Sequence, residues 1–155
     1  MKIFVDSDSC PVKQEIMQIA QTLKIKTYFV STECHFFVVE SNSLYYQWVC
    51  VDQVQDRSDI YIANHIQPGD IVITQDYGLA SLVLGKRACV MTFRGRRIDH
   101  DNIEFLLFKK SIHSKIFRSA CKLNGEKVMN EEDRELFAEK LNDLLISLKK
   151  EGDYS

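Results

Sequence analysis

Asp6 and Asp8 stand two residues apart directly after the apolar run Ile3-Phe4-Val5, and Asp76 closes a second apolar run, Ile71-Val72-Ile73-Thr74. Carboxylates gathered from separate segments repel one another unless a cation lies between them. Their natural chemistry is therefore the holding of a divalent metal. Asp59 is a further candidate, because Asp59, Ile62, Ala63 and Ile66 recur at i, i+3, i+4 and i+7, which puts the acid on the apolar face of a helix. An inward carboxylate is unfavourable unless paired or ligated. Asp56 falls one turn earlier on a similar side. Three of these acids also have a plainer reading: Asp56 and Asp59 as first-turn acids or caps, and Asp76 as the cap of the helix that follows it.

Other residues near these acids carry less specific signals. Arg94-Gly95-Arg96-Arg97 follows an apolar run, so its side chains could reach the rim of the same crevice and grip phosphates; otherwise it is a solvated loop with a turn glycine. Ser7, Ser9 and Thr74 could donate to water or substrate, or simply cap a helix. Cys10 sits close to the acids, where a thiolate is disfavoured, so packing at a helix start is its expected role. His35, His65, His100 and His113 lack metal-ligand spacing, and His35 alone is worth testing.

The elements that must position these groups read as βα units followed by helices. Short, β-branched runs at 3–5 and 71–75, each followed by a helical pattern, read as buried parallel strands whose carboxyl ends form a ligand crevice. Further strands are expected over 26–31, 48–51 and 88–91. Pro11 opens a helix carrying Val12, Ile16, Ile19, Ala20 and Leu23 at helical spacing. Helices follow over 56–66 and from Leu79 to Gly85. Pro68-Gly69-Asp70 is a turn between them. Asp101–Cys121 and Asn130–Lys150 read as two amphipathic helices, the second with a stripe of Phe137, Leu141, Leu144, Leu145 and Leu148. The expectation is a three-layer α/β domain over 1–150 with a mainly parallel sheet, two C-terminal helices packed on it, and a frayed tail at 151–155. Residues 32–46 have no clear assignment.

The chain has 155 residues, 45% of them hydrophobic and 27% charged, with a net charge of −2. That suits one ordinary domain. Residues 1–85 carry 5 basic against 10 acidic side chains (−5), residues 86–122 carry 10 against 3 (+7), and residues 123–155 carry 5 against 9 (−4). A basic segment beside an acidic crevice is what a metal and a polyanion would meet, although a solvated helix face has the same composition. The charged opening does not resemble a signal peptide, and no run is long enough to span a membrane. Five scattered cysteines without a C-x-x-C pair predict reduced thiols and a cytoplasmic protein.

The words VDSDSCPVK at 5–13, Asp56, Asp59 and Ile62 in a D-x-x-D-x-x-I pattern, GDIVITQDYGLASL at 69–82 and DNIEFLL at 101–107 resemble the YaiI/YqxD family of uncharacterised bacterial proteins. The resemblance spans most of the chain. That family in turn resembles PIN-like and NYN-like nuclease domains, whose acids at strand ends and on one helix hold Mg²⁺ or Mn²⁺. It implies Asp6, Asp8, Asp59 and Asp76 as the catalytic and metal-holding set, with Asp56 peripheral. The implied activity is cleavage of RNA or single-stranded nucleic acid, and the basic segment read above, with Arg94, Arg96 and Arg97, is then expected to hold the backbone. Two other functions remain open. Asp6-x-Asp8 also fits the nucleophile and acid of a haloacid-dehalogenase-like phosphatase, and a non-catalytic RNA- or protein-binding module needs no metal chemistry.

Overall fold

Ile3–Asp6 forms strand β1, and its first three residues are buried on both faces, as a central parallel strand requires. The computed structural model describes residues 1–33, 43–52, 57–119 and 128–153, without the side chains of 116–119 and 153. The chain continues through α1 (Lys13–Leu23), β2 (Thr27–Ser31), β3 (Tyr46–Cys50), α2 (Ser58–His65), β4 (Ile71–Ile73) and α3 (Tyr77–Gly85). It ends with β5 (Cys89–Met91), β6 (Arg97–Ile98), α4 (Ile103–Ser119) and α5 (Glu131–Asp153). Among the described residues the six strands form one sheet in the order β3-β2-β1-β4-β5-β6. Every pairing is parallel except β5 with β6. The short hairpin strand β6 was not expected from the sequence. The unassigned stretch 32–46 contributes the first residue of β3, and its positions 34–42 lie outside the described residues.

Period-2 alternation divides the core into two layers. Phe4, Val30, Val72 and Val90 face α2, α3 and α4 through Ile62, Leu79, Ala80, Val83 and Leu106. Ile3, Val5, Phe29, Ile71 and Ile73 face α1 and α5 through Ile16, Phe137, Leu141, Leu144 and Leu145. The two late helices therefore cover opposite faces of the sheet. Each fully buried side chain of this size contributes roughly 1.5–3 kcal/mol. The apolar stripe read along the last helix is the stripe that packs, and α5 runs on to Asp153, past the expected end at 150.

Chain order reverses between β1 and β4. The segment after β1 turns to the α1 layer, and the segment after β4 turns to the α3 layer. Their carboxyl ends thus part to leave a crevice at the point where open α/β sheets bind ligands.

One expectation about cysteine chemistry is corrected. Cys10 and Cys89 are free thiols, but Cys50 at the end of β3 is disulfide-bonded. Spacing along the chain does not disclose such a bond, because a disulfide needs only a Cα separation of about 5.5 Å in the folded molecule.

Candidate acidic site at the carboxyl edge of the sheet

Asp6 is the last residue of β1 and shares the parity of Phe4, so it leans toward the α2 and α3 layer. Ser58 Oγ, in the first turn of α2, donates to Asp6 Oδ1 at 2.9 Å, and Thr74 Oγ1, just after β4, donates to Oδ2 at 3.1 Å. Burial pushes the Asp6 carboxyl above the usual range. The two hydroxyl donors oppose that rise, and the negative charges of Asp8 and Asp76 add to it.

Asp8 is held differently. Its Oδ1 accepts from Ser31 Oγ at 2.6 Å and from the Thr32 amide at 2.9 Å, and its Oδ2 accepts from Thr32 Oγ1 at 2.7 Å. Partial burial raises this carboxyl, but the hydrogen bonds from Ser31 and Thr32 outweigh it and leave the group below the usual range. Two carboxylates two residues apart are thus driven in opposite directions. Such separation is how a site obtains one permanently ionised acid and one that titrates readily.

Asp76 caps α3. Its Oδ1 accepts from the amides of Gly78 at 2.8 Å and Leu79 at 3.4 Å, and its own amide donates to Thr74 Oγ1 at 2.9 Å. Thr74 therefore links Asp6 to the backbone of Asp76. Lys110 Nζ of α4 lies 3.9 Å from Asp76 Oδ1 and 5.9 Å from the centroid of the Tyr77 ring. Among the described residues Asp76 Oδ2 receives no hydrogen bond, and it remains available to a ligand.

Asp59 is half-buried, and its Oδ1 accepts from the amide of Ile60 at 2.9 Å. The α2 side chain that touches Asp6 is Ser58, one residue earlier. Ser58 lies four residues before Ile62 and so belongs to the same buried face, a signal present in the sequence but overshadowed by the neighbouring acid. Ser31 and Thr32 were missed for another reason: nothing local marks the end of β2 as the partner of Asp8. Asp56 and His35 lie outside the described residues.

Burial pushes the Cys10 thiol up to about 12, with Asp6 among the charges contributing, so this cysteine packs rather than attacks. Ser7 also serves structure, donating from Oγ to the carbonyl of Val30 at 2.8 Å. Beside the acids a cleft of about 310 Å³ is lined by Ser9, Pro11, Gln75, Phe93, Arg94 and Arg134, among others. Arg94 reaches it from the β5–β6 turn and pairs with Asp133 at 3.4 Å, while Arg96 and Arg97 are exposed on the same hairpin. Arg134 of α5 donates to the Pro11 carbonyl and lies 3.4 Å from Glu15.

Among the described residues no three His, Cys, Asp or Glu side chains stand in a metal-holding group. The donor set does not form an all-protein cage. It fits the habit of Mg²⁺, which keeps several waters and uses one or two carboxylates together with substrate phosphate. Asp6 and Asp76 Oδ2 have the hardness and charge for that role.

The chain matches, over residues 4–147, the family described as uncharacterised and named YaiI/YqxD. A UPF0178 protein of Bacillus velezensis is 43% identical over 143 residues, covering 92% of this chain and 84% of that protein. A UPF0178 protein of Halalkalibacterium halodurans is 41% identical over 144 residues, with 93% and 90% covered. One from Natranaerobius thermophilus is 36% identical over 149 residues, with 96% and 99% covered. No solved structure matches the chain.

Proposed function

The chain belongs to the YaiI/YqxD family, whose description assigns no activity, and we propose that it is a divalent-metal-dependent phosphodiesterase acting on RNA or single-stranded nucleic acid. The observation that carries this reading is the half-buried Asp6 carboxylate, placed at the switch point of the sheet and raised by burial and by two neighbouring carboxylates. A cation relieves that repulsion and offsets the desolvation. Mg²⁺ or Mn²⁺ would be held by Asp6 and Asp76, with Asp8 and Asp59 acting through water, and would supply a Lewis acid at the scissile phosphate. Thr74 and Ser58 orient Asp6, and Ser31 and Thr32 keep Asp8 ionised.

The substrate class rests on charge. Lys110 beside Asp76, and Arg94 and Arg134 on the adjoining cleft, offer cations to a backbone on both sides of the acids. Arg96 and Arg97 extend that surface. A cytoplasmic setting goes with this substrate, although the disulfide at Cys50 is the feature least suited to a reducing compartment. The phosphatase alternative asks Asp8 to donate a proton, and a carboxyl held below the usual range is a poor donor near neutrality.

The test is cleavage of labelled single-stranded RNA and DNA in Mn²⁺, Mg²⁺ or chelator. Metal-dependent cleavage that disappears in Asp6→Asn is the expected outcome. Joint replacement of Arg94, Arg96 and Arg97 by Ala should weaken binding and reduce its salt slope by up to about 3. A phosphoryl group trapped on Asp6 would identify the phosphatase, and binding without turnover the module.

A further inference from the structure

We propose that two copies of this chain pair through α4, in antiparallel contact along an exposed apolar seam. This inference is independent of the catalytic reading. The first turns of α4 pack on α3 and the sheet through Ile103 and Leu106. From Phe108 to Lys115 every side chain is exposed, and among the described residues this part of the helix has no layer to pack on. Phe105 is 62% exposed, Phe108 64% and Ile112 40%, and their i, i+3, i+7 spacing aligns them in one stripe. At 100° per residue that stripe lies roughly 100–160° around the helix from Leu106. Single exposed apolar residues are ordinary, whereas a row containing two phenylalanines marks a contact surface.

The charges along α4 select the occupant. Asp99, Asp101 and Glu104 stand at the start of the helix, and Lys109, His113 and Lys115 occupy its exposed half. An antiparallel copy brings each acidic end against a basic end and opposes the two helix dipoles. Centred between Phe108 and Lys109, the pairing also sets Phe105 of each chain against the partner's Ile112. The seam is therefore complementary to itself, as a two-fold interface must be. A polyanion would meet the acidic start of the helix with repulsion. Lys110 projects from the opposite side of α4, toward Asp76, so pairing leaves the acidic crevice open.

Sedimentation velocity over a concentration series, without metal or nucleic acid, tests this. The expected result is a mass that rises from the protomer's 18.0 kDa toward twice that value. Phe108→Glu should raise the dissociation constant at least about tenfold, and at concentrations where wild type is also monomeric it should not lower the melting temperature, since the ring is exposed in the single chain. Glu104→Lys should weaken pairing about threefold, and adding Lys115→Glu should restore it. A wild-type chain that stays monomeric throughout, or a Phe108→Glu variant that pairs as well as wild type, overturns the proposal. So does a Phe108→Glu variant of unchanged mass that loses single-stranded RNA binding, because the rings would then be stacking platforms for bases.

Discussion

Thr74 Oγ1 donates to Asp6 Oδ2 at 3.1 Å, and the same hydroxyl accepts the amide of Asp76 at 2.9 Å. One buried hydroxyl thereby sets the position of two carboxylates, one closing β1 and the other capping α3. Thr74→Val keeps the shape and removes both roles. It should lower stability at neutral pH by about 1–2 kcal/mol, because a buried carboxylate loses a donor. The loss should shrink at acid pH, where Asp6 is protonated. Urea titrations at two pH values measure it, and an equal loss at both would show that the hydroxyl does not serve the ionised acid.

Asp6 is raised in the folded chain, so the native state holds its proton more tightly than the unfolded state does. Its contribution is favourable at low pH and is lost as pH rises through the folded value. Asp6→Asn should therefore raise the melting temperature by a few degrees at pH 7 without metal, the advantage fading in acid. The hydroxyls of Ser58 and Thr74 can turn to accept from the new amide. The same variant should show a smaller gain on addition of Mn²⁺. A variant less stable than wild type at pH 7 and equally responsive to Mn²⁺ would make Asp6 a structural acceptor instead.

Asp8 has the opposite sign. Its carboxyl lies below the usual range, so it stabilises the fold above its unfolded value, and that support is lost as pH falls through the folded value. Asp8→Ala should flatten the acid limb of the stability profile and cost about 0.5–1 kcal/mol at pH 7, small because the group is exposed and screened. Chemical denaturation from about pH 3 to about pH 7, a range that spans the titration of an ordinary carboxylate, reads the slope.

Lys110 separates stability from binding. Its pair with Asp76 is exposed on both sides and adds little to folding. Lys110→Ala should leave the unfolding midpoint unchanged while reducing the salt dependence of single-strand binding by about one phosphate contact. An unchanged salt slope would remove α4 from the nucleic-acid path.

Gly95 turns the arginine-bearing hairpin with φ +73°, and a Cβ there would meet Lys140 Cδ at 2.9 Å and the Phe137 Cα at 3.4 Å. Gly95→Ala should destabilise by about 1–2 kcal/mol through strain and crowding against α5. Thermal unfolding checks this, and a neutral substitution would mean that the turn and α5 shift apart freely.

Local chemistry alone determined much of this protein. Ile3-Phe4-Val5 and Ile71-Val72-Ile73 are short, β-branched and unbroken, which leaves buried parallel strands as their natural state, and the acids that close them could only stand at the carboxyl edge. The stripe from Phe137 to Leu145 likewise announced its own packing face. Tertiary structure decided which acids share a neighbourhood and what surrounds each. Asp6 and Asp8 look alike in sequence, yet one is raised by burial and the other held low by Ser31 and Thr32, residues more than twenty positions away. Helical spacing nominated Asp59, but Ser58 is the α2 side chain that reaches Asp6. The disulfide at Cys50 and the hairpin strand β6 were equally silent in the sequence. Periodicity is a property of one element, whereas hydrogen-bond partners and desolvation arise only where separate elements meet.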